Sequence, residues 1–191
     1  MSILRKIKDI FLPKKEIDRK DFGALIDQSI QEHNQFIKRI EVEGRILRQV
    51  DKDGLKTRPY LIWNAFVDTL AREELKDLNA IQKPPALVFS YEAEVQNGGH
   101  FQYFVNRGLS LLEATVGALE ELGALQHAKI LKNAGVEVKK HGLTPQTTDE
   151  FVAGALEGHF DTMDNEYYQC KPDLGQILEK YLKKHQSEFI L

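Results

Sequence analysis

Apolar residues recur along most of this chain at three- and four-residue intervals, the spacing of one buried helix face. Ile3, Leu4, Ile7, Ile10 and Phe11 mark a short basic amphipathic helix that Pro13 ends. Phe22, Leu25, Ile26, Ser29 and Ile30, then Phe36, Ile37 and Ile40, describe a longer second one. The run DKDGLKTRP (51–59) reads as a turn, with Pro59 placed to open a helix carrying Leu61, Ile62, Phe66 and Leu70. Trp63, Phe66 and Val67 read as core. QKPP (82–85) is the clearest breaker. Beyond it the period predicts helices near 85–96, 100–106, 110–123, 125–140, 147–160, 162–169 and 173–187. Ser110, Thr147 or Thr148, and Asp173 are the candidate N-caps. Strand alternation is weak, ALVFSY (86–91) being the one competitor. The expected class is all-α, helices packed around one core, arranged as a basic arm (1–20), an N-terminal helical layer (21–81) and a helical domain (82–191).

Between two of these helices stands EAEVQNGGHFQYFVN (92–106). Leu87, Val88, Tyr91 and Val95 lie at core spacing before the glycines, and Phe101, Phe104 and Val105 after them. Asn97 or Gly98 suits the left-handed residue that stops a helix, and Gly99 lets the chain reverse so that two helices touch. Gln102 and Asn106 share a helical face. Two readings compete. In one, Glu94, Gln102 and Asn106 satisfy exposed backbone groups at a structural corner. In the other, Glu94 and His100 are a general acid–base pair in a hydrolase or transferase that also uses Gln102.

Charge changes the picture further. The net charge of −3 conceals 17 Lys+Arg against 14 Asp+Glu in residues 1–85, and 5 against 12 in residues 86–170. The acidic middle argues against direct nucleic-acid binding there. Six histidines show no His-Glu-x-x-His spacing and Cys170 has no second cysteine, so neither a metal site nor a cofactor nor a disulfide is expected. DKDG (51–54) lacks the ligand spacing of an EF-hand loop, and Gly98-Gly99 fits neither a P-loop nor a dinucleotide fingerprint. The first residues hold no apolar run long enough for a signal peptide or membrane span, which points to a cytoplasmic address. For the basic helix three roles stay open: docking on its own chain, binding a partner, or lying on an anionic membrane through residues 2–12.

The string E-x-x-N-G-G-x-x-Q-Y-F-x-N is carried by Glu94, Asn97, Gly98, Gly99, Gln102, Tyr103, Phe104 and Asn106. It resembles the signature of a bacterial DNA-mimic protein family. ALEELGALQHAKIL (118–131) and FDTMDNEYY (160–168) are similar to further segments of that family. The resemblance implies an all-helical fold, a homodimer and no known catalysis. For the family's DNA-mimic member it implies surface carboxylates that imitate phosphates and occupy the DNA-binding face of a transcription factor. The signature itself reads as fold, and mimicry would have to live in surface charge.

Were 150–164 one helix, Glu150, Glu157, Asp161 and Asp164 would share a stripe about 21 Å long. Val152, Leu156, Phe160, Met163 and Tyr167 would line its core side. One DNA strand sets about six phosphates in that length, so mimicry also needs Glu113, Glu120 and Glu121, or a second copy. The expected activity is therefore a non-catalytic module presenting carboxylates to a basic protein. An immunity-type or regulatory partner with a mixed interface, and the Glu94/His100/Gln102 enzyme, are the alternatives.

Overall fold

Among the residues described by the computed structural model (38–42, 45–49, 52–142 and 148–190), two short strands precede eight helices. β1 (Lys38–Val42) pairs with β2 (Arg45–Gln49). The helices are α1 (Lys52–Thr57), α2 (Leu61–Arg72), α3 (Lys83–Arg107), α4 (Leu112–Glu121), α5 (Leu125–His141), α6 (Thr148–Leu156), α7 (Asp161–Gln169) and α8 (Leu174–Lys184). A 3-10 turn at Gln186–Glu188 follows. The all-α class is observed, with one strand pair added. Residues 40–191 form one compact unit. The expectations for the basic arm, for the helix from Phe22 to Ile37 and for Thr147 lie outside the described residues.

Two short stretches differ from the sequence reading. Ile40 belongs to β1 rather than to a helix: Ile40 and Val42 alternate with polar neighbours, and only two residues separate β1 from β2, a link that joins antiparallel strands alone. DKDGLKTRP contains α1, not merely a turn. Gly54 is buried there, and its carbonyl accepts from the Thr57 hydroxyl at 3.2 Å and from Arg58 N–H at 2.9 Å.

QKPP, expected as a breaker, leads into a helix. Pro84 and Pro85 stand in the first turn of α3, where a missing N–H costs nothing and φ is already suitable. Before them the Asn79 side-chain oxygen accepts from the N–H groups of Ile81 and Gln82 (2.9 and 2.8 Å), and the Gln82 amide donates to the Glu188 carbonyl at 2.7 Å. The two sides of the breaker share a core: Ile62, Ala65 and Phe66 of α2 bury against Leu182, Phe189 and Ile190. Trp63 makes edge contacts with Phe66 and Phe89, whereas Val67 faces out.

The larger core lies where α3 meets α4, α5, α7 and α8. Val88, Tyr91, Val95, Phe104, Leu119, Leu131 and Leu178 are almost wholly enclosed, each large apolar side chain contributing about 1.5–3 kcal/mol. Asp173 caps α8 as expected, its Oδ1 accepting from Gln176 N–H at 2.9 Å. Ser110 does not cap α4: Leu111 holds that position, and the Ser110 hydroxyl donates back to the Arg107 carbonyl.

The single helix over 150–164 is not formed. Gly158, with φ +70°, separates α6 from α7. Phe160, Met163 and Tyr167 are buried as anticipated, but Val152 and Leu156 are exposed (50% and 81%), because the break rotates α6 away from the face that α7 buries.

Candidate functional site

Gly98 and Gly99 split α3 into two limbs that fold back on each other. The rings of Tyr91 and Tyr103 lie 5.1 Å apart, whereas twelve residues of straight helix would separate them by about 18 Å. The positive φ sits at Gly99 (φ 71°, ψ −174°), not at Asn97 or Gly98; Gly98 has φ −161° and ψ 31°, also outside helical values. A methyl group on Gly99 would run into the Asp164 carboxylate.

Glu94 ties the limbs together. Its Oε2 accepts from Gln102 Nε2 at 3.0 Å and Asn106 Nδ2 at 2.7 Å, and its Oε1 from Arg107 Nε at 3.1 Å and Nη2 at 3.0 Å. Partial burial pulls its pKa up, yet the hydrogen bonds of Gln102 and Asn106 and the Arg107 charge outweigh this and leave it below the usual range. The amides thus satisfy a carboxylate side chain, where helix-end backbone groups were expected to be their partners. Asn97 is exposed at the turn, while Tyr103 and Phe104 are core.

Asp164 reaches the same corner from α7. Its Oδ1 accepts from His100 N–H at 2.9 Å, capping the second limb, and from His100 Nδ1 at 2.6 Å. That leaves His100 Nε2 to accept from the Tyr91 hydroxyl at 2.8 Å. Burial above all holds the Tyr91 phenol well above its ordinary pKa, so it remains a donor. His100 is fully enclosed. Asp164, expected on a solvent-facing stripe, is therefore turned inward and only 27% exposed. Tyr167 packs edge-on to Tyr91, His100 and His127, and the Tyr168 hydroxyl donates to the Val95 carbonyl at 3.2 Å. The two sequence strings are consequently the two halves of one lock. Glu94 and His100 belong to different hydrogen-bond sets, and a histidine with both nitrogens engaged and no exposed surface has no route to a substrate.

Sequence reasoning passed over a second polar group beside this lock. Glu92 is nearly buried and accepts from Gln96 Nε2 at 3.0 Å. Burial, reinforced by Asp173, raises its pKa to about 7 despite the Gly175 N–H. His127, also buried, is lowered to about 4 by burial, against a weaker opposing pull from Asp173. Their effects on stability have opposite signs. Glu92 binds its proton more tightly when folded, so its contribution falls as pH rises from about 4.5 to about 7. His127 binds more weakly when folded, so its contribution rises from about pH 4 to about 6.5. The wild type should be nearly level over that shared window. E92Q removes one arm, so its stability relative to wild type should climb by about 1–3 kcal/mol between pH 4.5 and 7 in urea titrations. A constant difference across that range would refute the assignment.

The acidic residues are distributed over two places. Glu113, Glu120 and Glu121 are exposed on α4, and Glu150, Glu157 and Asp161 along α6 and the start of α7. Glu120 pairs with Lys132 at 2.7 Å, and Glu157 with His159 at 2.8 Å. Helix α5 packs against both α4 and α7 and exposes Lys129, Lys132, Lys139 and Lys140. Among the described residues no group of three or more His, Cys, Asp or Glu side chains is placed to hold a metal ion, and no helix is long and apolar enough to cross a membrane.

Residues 76–185, which contain the whole lock, match the family model described as DMP19-like protein. No curated protein and no solved structure matches.

Proposed function

The chain belongs to the DMP19-like protein family, and from that premise we propose that it is a non-catalytic module that binds a basic protein through carboxylates on its helices. The observation that carries this reading is the inward use of both motifs: Glu94, His100, Gln102, Asn106 and Asp164 hold one another, and what remains for recognition is the exterior. The contacting groups are Glu113, Glu120 and Glu121 on α4, and Glu150, Glu157 and Asp161 of the α6–α7 segment. Asp164 contributes to the fold of that face instead of to its charge. A DNA-binding transcription factor is the partner suggested by the DNA-mimic resemblance. The homodimer and the cytoplasmic address belong to the same proposal, with Val152 and Leu156 as apolar surface for self-association.

The lysines of α5 favour a second reading, a mixed interface in which both signs are used. Salt separates the two. A phosphate-like surface should lose affinity steeply between about 0.05 and 0.5 M salt, because exposed charges are screened within a few ångströms at the upper end. Affinity capture from the native host at both salt levels supplies the partner, and titration with it supplies the slope. The triple reversal E113K/E121K/D161K should weaken binding roughly tenfold or more while the melting curve stays close to wild type. A complex indifferent to salt and to the reversals would overturn the carboxylate mechanism.

A further inference from the structure

A cavity of about 430 Å³ opens between α5 and α7, lined by Gln126, Lys129 and Ile130 from one side and Glu166, Gln169 and Cys170 from the other. Its volume lies in the range of small-molecule sites, about 300–1,000 Å³. Ile130 and Cys170 are buried and form an apolar floor, and the Cys170 thiol donates to the Glu166 carbonyl at 3.4 Å. Burial raises the thiol pKa, so the floor is uncharged. The four remaining side chains are exposed and polar.

Their charges are the informative part. Two pairs of opposite charges close between neighbouring segments: Lys132 with Glu120 between α5 and α4, and Arg107 with Glu94 across the corner. Lys129 and Glu166 line one cavity from adjacent helices, yet among the described residues no ion pair joins either to any other group. Among the described residues the cavity thus presents a cation and an anion over an apolar floor. A simple anion or cation would satisfy one and be repelled by the other. A molecule carrying both signs satisfies the two together.

We propose that this cavity binds a small zwitterion of the α-amino-acid class. Glu166 takes the ammonium, Lys129 the carboxylate, and Ile130 with Cys170 receives the aliphatic carbons. Gln126 and Gln169 each offer a donor and an acceptor to a polar, uncharged side chain, while a third charge would find no counter-ion. The site is independent of the carboxylates assigned to partner binding, so either assignment can fail alone.

Ligand-observed NMR on the full chain tests this with free glutamine, serine, aspartate and lysine. N-acetyl-glutamine, which lacks the ammonium, and glutamine amide, which lacks the carboxylate, complete the set. Free glutamine and serine should bind, and either blocked derivative should bind roughly tenfold more weakly, about the strength of one charge-assisted contact. The decisive readout is the pairing of variant with derivative. In E166Q the N-acetyl compound should bind as well as free glutamine does, and in K129M the amide should do so. A purely structural role for either side chain would not produce that pattern. Equal binding of blocked and free forms in the wild type, unchanged preferences in the variants, or no binding by any amino acid at about 10 mM would each overturn the proposal.

Discussion

Replacing Gly99 by alanine should destabilise the protein by about 3 kcal/mol, lowering its melting temperature by roughly 6–12 °C. Two costs add. The backbone at φ 71° and ψ −174° lies in a region that side-chain-bearing residues enter only under strain. The new methyl would also collide with the Asp164 carboxylate, which cannot withdraw without releasing both hydrogen bonds to His100. Gly98→Ala is the control. Its φ of −161° lies outside the left-handed region, so that part of the backbone cost is absent, but its methyl would meet both the amide oxygen and the Cβ of Gln102, so that side chain must leave Glu94 and its base must shift. That variant should lose about 1–2 kcal/mol, less than Gly99→Ala. Denaturant titration of both decides the matter: equal losses, or a larger loss at Gly98, would show that the corner does not depend on the geometry at Gly99.

Asp164→Ala should cost a similar amount, about 3 kcal/mol, by a different route. The carboxylate is the acceptor for two donors on His100, one backbone and one imidazole, and His100 has no exposed surface through which water could replace it. Removing it strands both donors and frees α7 from the corner. Asp164→Asn keeps an acceptor oxygen and should fall between. Tyr91→Phe leaves only His100 Nε2 unsatisfied and should cost about 1–2 kcal/mol. Hydrogen exchange at α7 and at the second limb of α3 should accelerate together in Asp164→Ala. An effect no larger than that of Glu113→Ala, an exposed carboxylate on α4, would mean that Asp164 is a surface residue after all.

Much of the helical order was legible beforehand. The breaks around 97–99, 108–111 and 170–173 coincide with the glycine corner, a second glycine of positive φ at Gly108 and an aspartate cap, all of which act within a few residues of themselves. The errors share a cause. Ile40 and the segment 51–59 are too short for a period to distinguish turn, strand and helix. The 150–164 stripe assumed an unbroken helix across Glu157-Gly158, although a glycine with positive φ is an ordinary helix terminator. Ser110 looked like a cap because its type is right, but its hydroxyl serves the helix behind it.

The candidate site divides along the same line. Glu94 with Gln102 and Asn106 could be grouped in advance, because all three flank one glycine corner. Asp164 could not: on a helix, a carboxylate facing solvent and one facing a distant histidine have the same spacing. Glu92 and His127 were invisible for a related reason, since only enclosure by α7 and α8 sets their proton affinities.

What the chain determined by itself was local: where helices run, where glycine lets the backbone turn, and which family the motif points to. Tertiary structure decided which polar groups meet. His100 and Asp164 are 64 residues apart, and hydrogen bonds act only over about 3 Å, so their partnership exists only once α7 is laid across the corner. The same packing spends the motif's polar side chains inside the fold and leaves the surface charge of α4 to α7 for whatever the protein recognises.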